Sequence, residues 1–221
     1  MTKISVILVL FFVVSAIQLY ACFPPIKIRL RYATKVLLMP LLGIWFMLAL
    51  KCPPITILAG FLCGFLGDLF LLGTGKKFTL FVIGSVFFGI GHILYATFFI
   101  SNTGTLPAIW PIILLSCIYI AAIVVFVILT KDKNKLPLVL AMIAYYTVIS
   151  VMSVSACAYM LSNGFGYSVI PFVGSVMFLV SDYYLGYDLA YKKLPLRHFL
   201  VMLTYIAGQF GIAYGIYLML H

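Results

Sequence analysis

The sequence predicts an all-α fold, a polytopic membrane protein of about eight transmembrane helices forming a single transmembrane domain over 1–221. Three observations predict it. Hydrophobic residues make up 66% of the chain and charged residues 8%, against roughly 25% charged in soluble domains. Mean hydropathy is +1.26. Apolar runs of about 20 residues, the length needed to cross the hydrocarbon core, follow one another along the whole chain and leave no room for a separate soluble domain.

The first run, residues 4–22, follows Lys3 and is longer than the apolar region of a secretory signal, so it is read as a retained first helix although Leu19-Tyr20-Ala21-Cys22 faintly resembles a lipoprotein cleavage site. Pro24-Pro25 ends it. The basic segment from Lys27 to Arg31 leads into a second helix at about 33–50, with Pro40 as a kink candidate. Lys51 and Pro53-Pro54 close that span. The third helix covers about 55–72, and residues 73–77 turn the chain. The fourth, 78–100, carries His92. The fifth runs over about 109–129 and ends at a Lys-rich segment, 131–135. Pro137 starts the sixth, which reaches about 161 before Ser162-Asn163-Gly164 breaks it. The seventh spans about 168–191, and the eighth follows Leu194-Pro195 to the end.

The net charge is +10, yet the basic residues lie in short gaps between apolar runs rather than on one helical face. They read as topology signals, and nucleic acid is not an expected partner. Twelve of the 14 Lys and Arg follow helices one, three, five and seven, which places both termini outside the cytoplasm. The host would be a plasma or inner membrane in a bacterium, an endomembrane in a eukaryote. Five cysteines without metal spacing read as small core residues, with no disulfide.

Gly60 precedes Asp68 by the same step as Gly174 precedes Asp182, and each segment runs on into a Lys-Lys pair. Counted from those pairs, His92 and Gln209 fall at nearly matching positions. The chain therefore reads as two four-helix repeats of parallel orientation, related by an axis along the membrane normal. The competing explanation is chance, since Gly and flanking Lys are common in membrane helices.

Asp68 and Asp182 lie inside apolar runs, in a chain with only 4 acidic residues. A central Asp costs about 2.5 to 3.5 kcal/mol on insertion scales, so an intramembrane carboxylate points to function, with a partner to be named. The partner expected for each is the other. The bland reading is a buried carboxylate bonded to its helix neighbours. Around them, Ser85, Gly89, His92 and Ala96 form a small, polar stripe with Tyr95 beside it; His92 is equally readable as a bonded core residue. Helix six carries Tyr146, Ser150, Ser153 and Cys157 on one face, as cavity lining or as helix glue. Gln209, with Tyr205 a turn before it, adds a neutral polar group. Lys35 is placed to meet an anionic head group or to act as a topology charge. There is no nucleophile elbow, no HExxH and no phosphate-cradling loop. A metal site of His92, Asp68 and Asp182 has a single deep imidazole to offer, and no cofactor is expected.

At these residues the chain resembles the YhhN-like lysoplasmalogenase family of eight-helix membrane proteins. The likeness is carried by Leu66-Gly67-Asp68-Leu69-Phe70-Leu71-Leu72, by Gly84 through Gly91-His92-Ile93-Leu94-Tyr95, by Phe178-Leu179-Val180-Ser181-Asp182, and by Tyr205 to Gln209. The resemblance implies hydrolysis of the vinyl ether bond of lysoplasmalogens to a fatty aldehyde and a glycerophospho-choline or glycerophospho-ethanolamine, with a lysophospholipid substrate drawn from membrane lipid. For that reaction the expected catalytic residues are Asp68, Asp182 and His92, and the expected substrate contacts are Lys35, Tyr95, Ser181, Tyr205 and Gln209. The chain departs from the family pattern at Thr34-Lys35-Val36, where Lys followed by Pro is commoner, so the role of Lys35 transfers least.

The chemistry suits the residues. Vinyl ether cleavage needs an acid to protonate carbon and a carboxylate to stabilise the resulting cation, as glycoside cleavage does, and two carboxylates sharing a desolvated site do not both ionise readily. Which Asp plays which part stays open at this level. A proton-coupled transporter is the alternative, since intramembrane carboxylates and repeated halves describe that class too; it would want broken helices at matched positions. A metal-dependent lipid amidase or esterase is a third reading, and a purely structural membrane protein a fourth.

Overall fold

The computed structural model describes residues 3–72, 78–105, 108–130, 136–191 and 193–221, and the turn read at 73–77, the basic segment 131–135 and Lys192 lie outside the described residues. The described residues form eight helices, α1(Lys3–Cys22), α2(Ile28–Ala49), α3(Ile55–Leu72), α4(Phe78–Ser101), α5(Trp110–Leu129), α6(Leu136–Asn163), α7(Val169–Ala190) and α8(Arg197–Leu220). All eight are long and apolar enough to cross a bilayer. The chain is a multi-pass membrane protein.

Two boundaries differ from those expected, each for a local reason. Helix α2 begins at Ile28, a turn and more before residue 33, because Arg29 and Arg31 sit in its first turns and long basic side chains reach water from a helix without ending it. Helix α6 runs on through Ser162 and Asn163, whose side chains donate to the main-chain oxygen of Tyr159 at 3.2 and 3.0 Å. They satisfy the last turn instead of breaking it, and the break falls on Gly164 at φ 87°. Pro40 sits inside an unbroken α2.

One apolar core runs through all eight helices, from Phe11 on α1 and Leu38 on α2 to Tyr119 on α5 and Ile212 on α8. Helix α5 is the outermost: only Tyr119 and Phe126 among its residues are buried. Its outward Ile113, Ile120 and Val124 are what a lipid-facing surface requires, since apolar side chains lose nothing against acyl tails. Cys117 faces outward with them and Cys52 is also exposed, so these two are not core residues, whereas Cys22 and Cys157 are buried. The helix-six stripe is glue in part: Ser153 bonds Tyr119 of α5 at 2.7 Å and Ser175 of α7 at 2.8 Å.

The two halves pack alike. Neighbours α1–α2, α2–α3 and α3–α4 recur as α5–α6, α6–α7 and α7–α8, while α4 meets α6 and α8 meets α2 across the halves. The register of the α3–α4 crossing recurs as well. A Cβ at Gly91 would stand 3.1 Å from the Gly60 oxygen, and one at Gly208 would stand 2.9 Å from the Gly174 oxygen. Farther along, Gly67 meets Gly84, and in the second half Ser181 donates to the Val201 main-chain oxygen at 2.9 Å. Gly60 to Gly174, Gly67 to Ser181 and Asp68 to Asp182 are one and the same shift along the sequence. Gly84 to Val201, Gly91 to Gly208 and His92 to Gln209 share a second, slightly longer shift of their own. Close backbone approach at small residues fixes these crossings and sets the two aspartates at equivalent positions.

Candidate functional site

The last two turns of α3 present Asp68, and α7 presents Asp182 at the equivalent place; both are buried. Each is held by the helix that precedes its own. Lys35 of α2 brings its Nζ to 3.0 Å from Asp68 Oδ1. Tyr145 of α6 donates its hydroxyl to Asp182 Oδ2 at 2.5 Å, while Tyr146 donates to the Asp182 main-chain oxygen at 3.1 Å. A further bond crosses the halves: Tyr205 of α8 donates to Asp68 Oδ2 at 2.7 Å.

The two carboxylates line one cavity of about 40 Å³, walled also by Lys35, Ser85, Tyr145, Ser181 and Tyr205. That volume holds a water or two with polar partners on several sides. Lys35, Leu71, Phe81, Leu185, Val201 and Met202 also line a second cavity, so the small chamber is the floor of a larger vestibule of about 530 Å³. The vestibule lies at the end of the bundle where α3 and α7 finish and α2, α4, α6 and α8 begin. It is large enough for a small molecule or lipid head.

The site is electrostatically lopsided despite its repeated frame. The Asp68 carboxyl is bonded by an ammonium and a phenol; the Asp182 carboxyl is bonded by a phenol. A carboxylate taken out of water keeps its charge most readily beside a cation, and of the two aspartates only Asp68 pairs with one among the described residues.

Of the residues expected at the site, Asp68, Asp182, Lys35, Ser181 and Tyr205 line the chamber. His92, Tyr95 and Gln209 form the next layer inward. Tyr95 donates to Gln209 Oε1 at 3.3 Å. His92 meets the Phe88 main-chain oxygen through Nδ1 at 2.6 Å and packs on Phe178 with ring centroids 4.3 Å apart. Its Nε2 is buried without a hydrogen-bond partner among the described residues. Lys35 is committed to Asp68 rather than free for a head group.

One participant, Tyr145, and one buried acid outside the chamber, Asp188, escaped the sequence reading. Tyr145 is one residue off the Tyr146 stripe, and neighbouring positions on a helix differ by about 100°, so the stripe pointed beside it. Asp188, the third acid in the described residues, pairs with Arg197 at 2.5 Å and accepts the Leu194 N–H at 2.8 Å. It ties the α7–α8 connection rather than joining the chamber.

A model of the YhhN family matches residues 30–216, a stretch that contains every residue of the chamber. No curated protein and no solved structure matches the chain.

Proposed function

As the chain belongs to the YhhN family, we propose that it hydrolyses the vinyl ether bond of lysoplasmalogens, with Asp182 as the acid and Asp68 as the carboxylate. The observation that carries this reading is the single chamber holding two buried aspartates with unlike partners. Asp182 gives its proton to the β-carbon of the enol ether, leaving an oxocarbenium cation beside Asp68. A water attacks the cationic carbon and passes a proton to Asp68, forming a hemiacetal. The collapse runs the other way: the hemiacetal hydroxyl returns a proton to Asp182, Asp68 protonates the departing glycerol oxygen, and both acids regain their starting forms. The products are a fatty aldehyde and a glycerophospho-base.

Lys35 and Tyr205 fix Asp68 in place and in charge, and Tyr145 aims Asp182. Fixed dipoles and charges of this kind act strongly in a dry site because they need no reorganisation as the cation forms. His92 supports the chamber from behind as a positioning residue. The basic end of the bundle carries the vestibule, so the mouth faces the cytoplasm and both termini the opposite side. The transporter alternative draws no support from the helices, none of which is interrupted at mid-span among the described residues.

Purified protein given a lysoplasmenyl lipid releases aldehyde, and given the saturated 1-alkyl ether analogue or a 1-acyl lysolipid releases nothing. The alkyl ether lacks the double bond that accepts the proton, and the acyl ester wants a nucleophile. Equal turnover of the acyl lipid contradicts the reading, as does substrate-dependent proton flux into liposomes with no aldehyde formed.

A further inference from the structure

The vestibule mouth holds a cluster that the chamber chemistry leaves unused. Arg31 of α2 and Arg197 and His198 of α8 line it together. Arg31 Nη1 lies 2.5 Å from His198 Nδ1, and Arg197 Nε lies 3.2 Å from His198 Nε2. A guanidinium only donates, and a neutral imidazole has a single acceptor nitrogen. Two donors therefore converge on a ring that can satisfy one. Arg197 is balanced by Asp188, but no carboxylate pairs with Arg31 among the described residues. Leu196 at the N-cap of α8 offers no side-chain bond to the first-turn N–H groups, and a helix start favours an anion.

We propose that this cluster is the phosphate subsite of the substrate, with Arg31 and Arg197 clamping the phosphodiester of the lysolipid head group. The proposal rests on the hydrolase reading and adds the register of the substrate to it. Arg31 lies one helical turn, about 6 Å, outward from Lys35 on the same face of α2. That rise matches the three-carbon glycerol link between an ether oxygen and a phosphate. With the phosphate between the guanidinium groups, the vinyl ether reaches the floor of the vestibule, where Lys35 marks the wall of the aspartate chamber. Arginine suits the task because its planar fork meets phosphate oxygens in pairs.

The test is binding, separate from turnover. The probes are a non-hydrolysable 1-alkyl lysophosphocholine, the 1-alkylglycerol that lacks its phosphate, and soluble glycerophosphocholine. Wild-type protein binds the phospholipid at least about tenfold more tightly than the alkylglycerol. In Arg31→Gln, and again in Arg197→Gln, that preference falls to within about twofold while alkylglycerol binding is unchanged, which also reports an intact fold. Glycerophosphocholine competes with the lipid in wild type and loses that effect in Arg31→Gln. A preference for the phospholipid that survives in Arg31→Gln overturns the subsite, as does glycerophosphocholine competing equally in both proteins. A preference lost on substitution in a protein that turns over no vinyl ether upholds the subsite and sinks the hydrolase reading alone.

Discussion

Replacing Asp182 by Asn lowers turnover of a lysoplasmenyl lipid by about a thousandfold or more and leaves binding of the saturated ether analogue within a few-fold. Asn fills the same space and its amide oxygen still accepts the Tyr145 hydroxyl, which reaches Asp182 at 2.5 Å in the native chain. It cannot deliver a proton to carbon. General acids contribute about 10² to 10⁴ in rate, and carbon is a slow proton acceptor, which places this step toward the upper end; a thousandfold is about 4 kcal/mol of barrier. Initial rates over a range of substrate, together with direct binding of the analogue, check both halves. Near-normal activity in Asp182→Asn and in Asp68→Asn alike removes the physical basis of the mechanism.

The second large effect separates charge balance from chemistry. Lys35→Met strands the Asp68 carboxylate, whose side chain is 1% exposed against 19% for Lys35. Breaking a buried pair by removing one partner costs about 3 to 5 kcal/mol, and the partial exposure of Lys35 brings the figure toward about 2 to 3 kcal/mol. Adding Asp68→Asn to Lys35→Met removes the stranded charge, so the double variant regains most of the lost thermal stability. It regains no activity, because the cation formed on protonation then has no carboxylate beside it. Unfolding midpoints in detergent and aldehyde release, measured on wild type, Lys35→Met, Asp68→Asn and the double variant, decide it. A double variant no more stable than Lys35→Met, or one that turns over substrate, contradicts the assignment of the anion to Asp68.

The spans and the aspartate pair were legible for the same reason: in lipid every charge is expensive, so few are present and each stands out. The repeat was legible as a shift shared by Gly60 and Asp68 with Gly174 and Asp182, and the helix crossings at Gly60–Gly91 and Gly174–Gly208 give that shift a physical cause. His92 and Gln209 were read as part of the site because they share a face with nearby polar residues. Their layer lies deeper than the chamber, and depth on a continuous helix leaves no mark in composition. Tyr145 was hidden because the polar stripe of α6 runs through Tyr146, one position away, and only the neighbouring α7 decides which sector carries the partner of Asp182. The mouth cluster was hidden for the opposite reason. Arg31, Arg197 and His198 sit at a membrane border, where basic residues are expected whatever they do, and only their convergence across α2 and α8 sets them apart.

The central claim is that the chamber protonates carbon. Turnover in D₂O reads it directly, with the aldehyde reduced as it forms to stop exchange. The mechanism predicts one solvent deuterium, and only one, on the carbon next to the carbonyl carbon, together with a normal solvent isotope effect on the rate. Aldehyde carrying no deuterium at that carbon would mean that the ether bond is broken without proton transfer from the carboxylates, and the role given to Asp182 would be wrong.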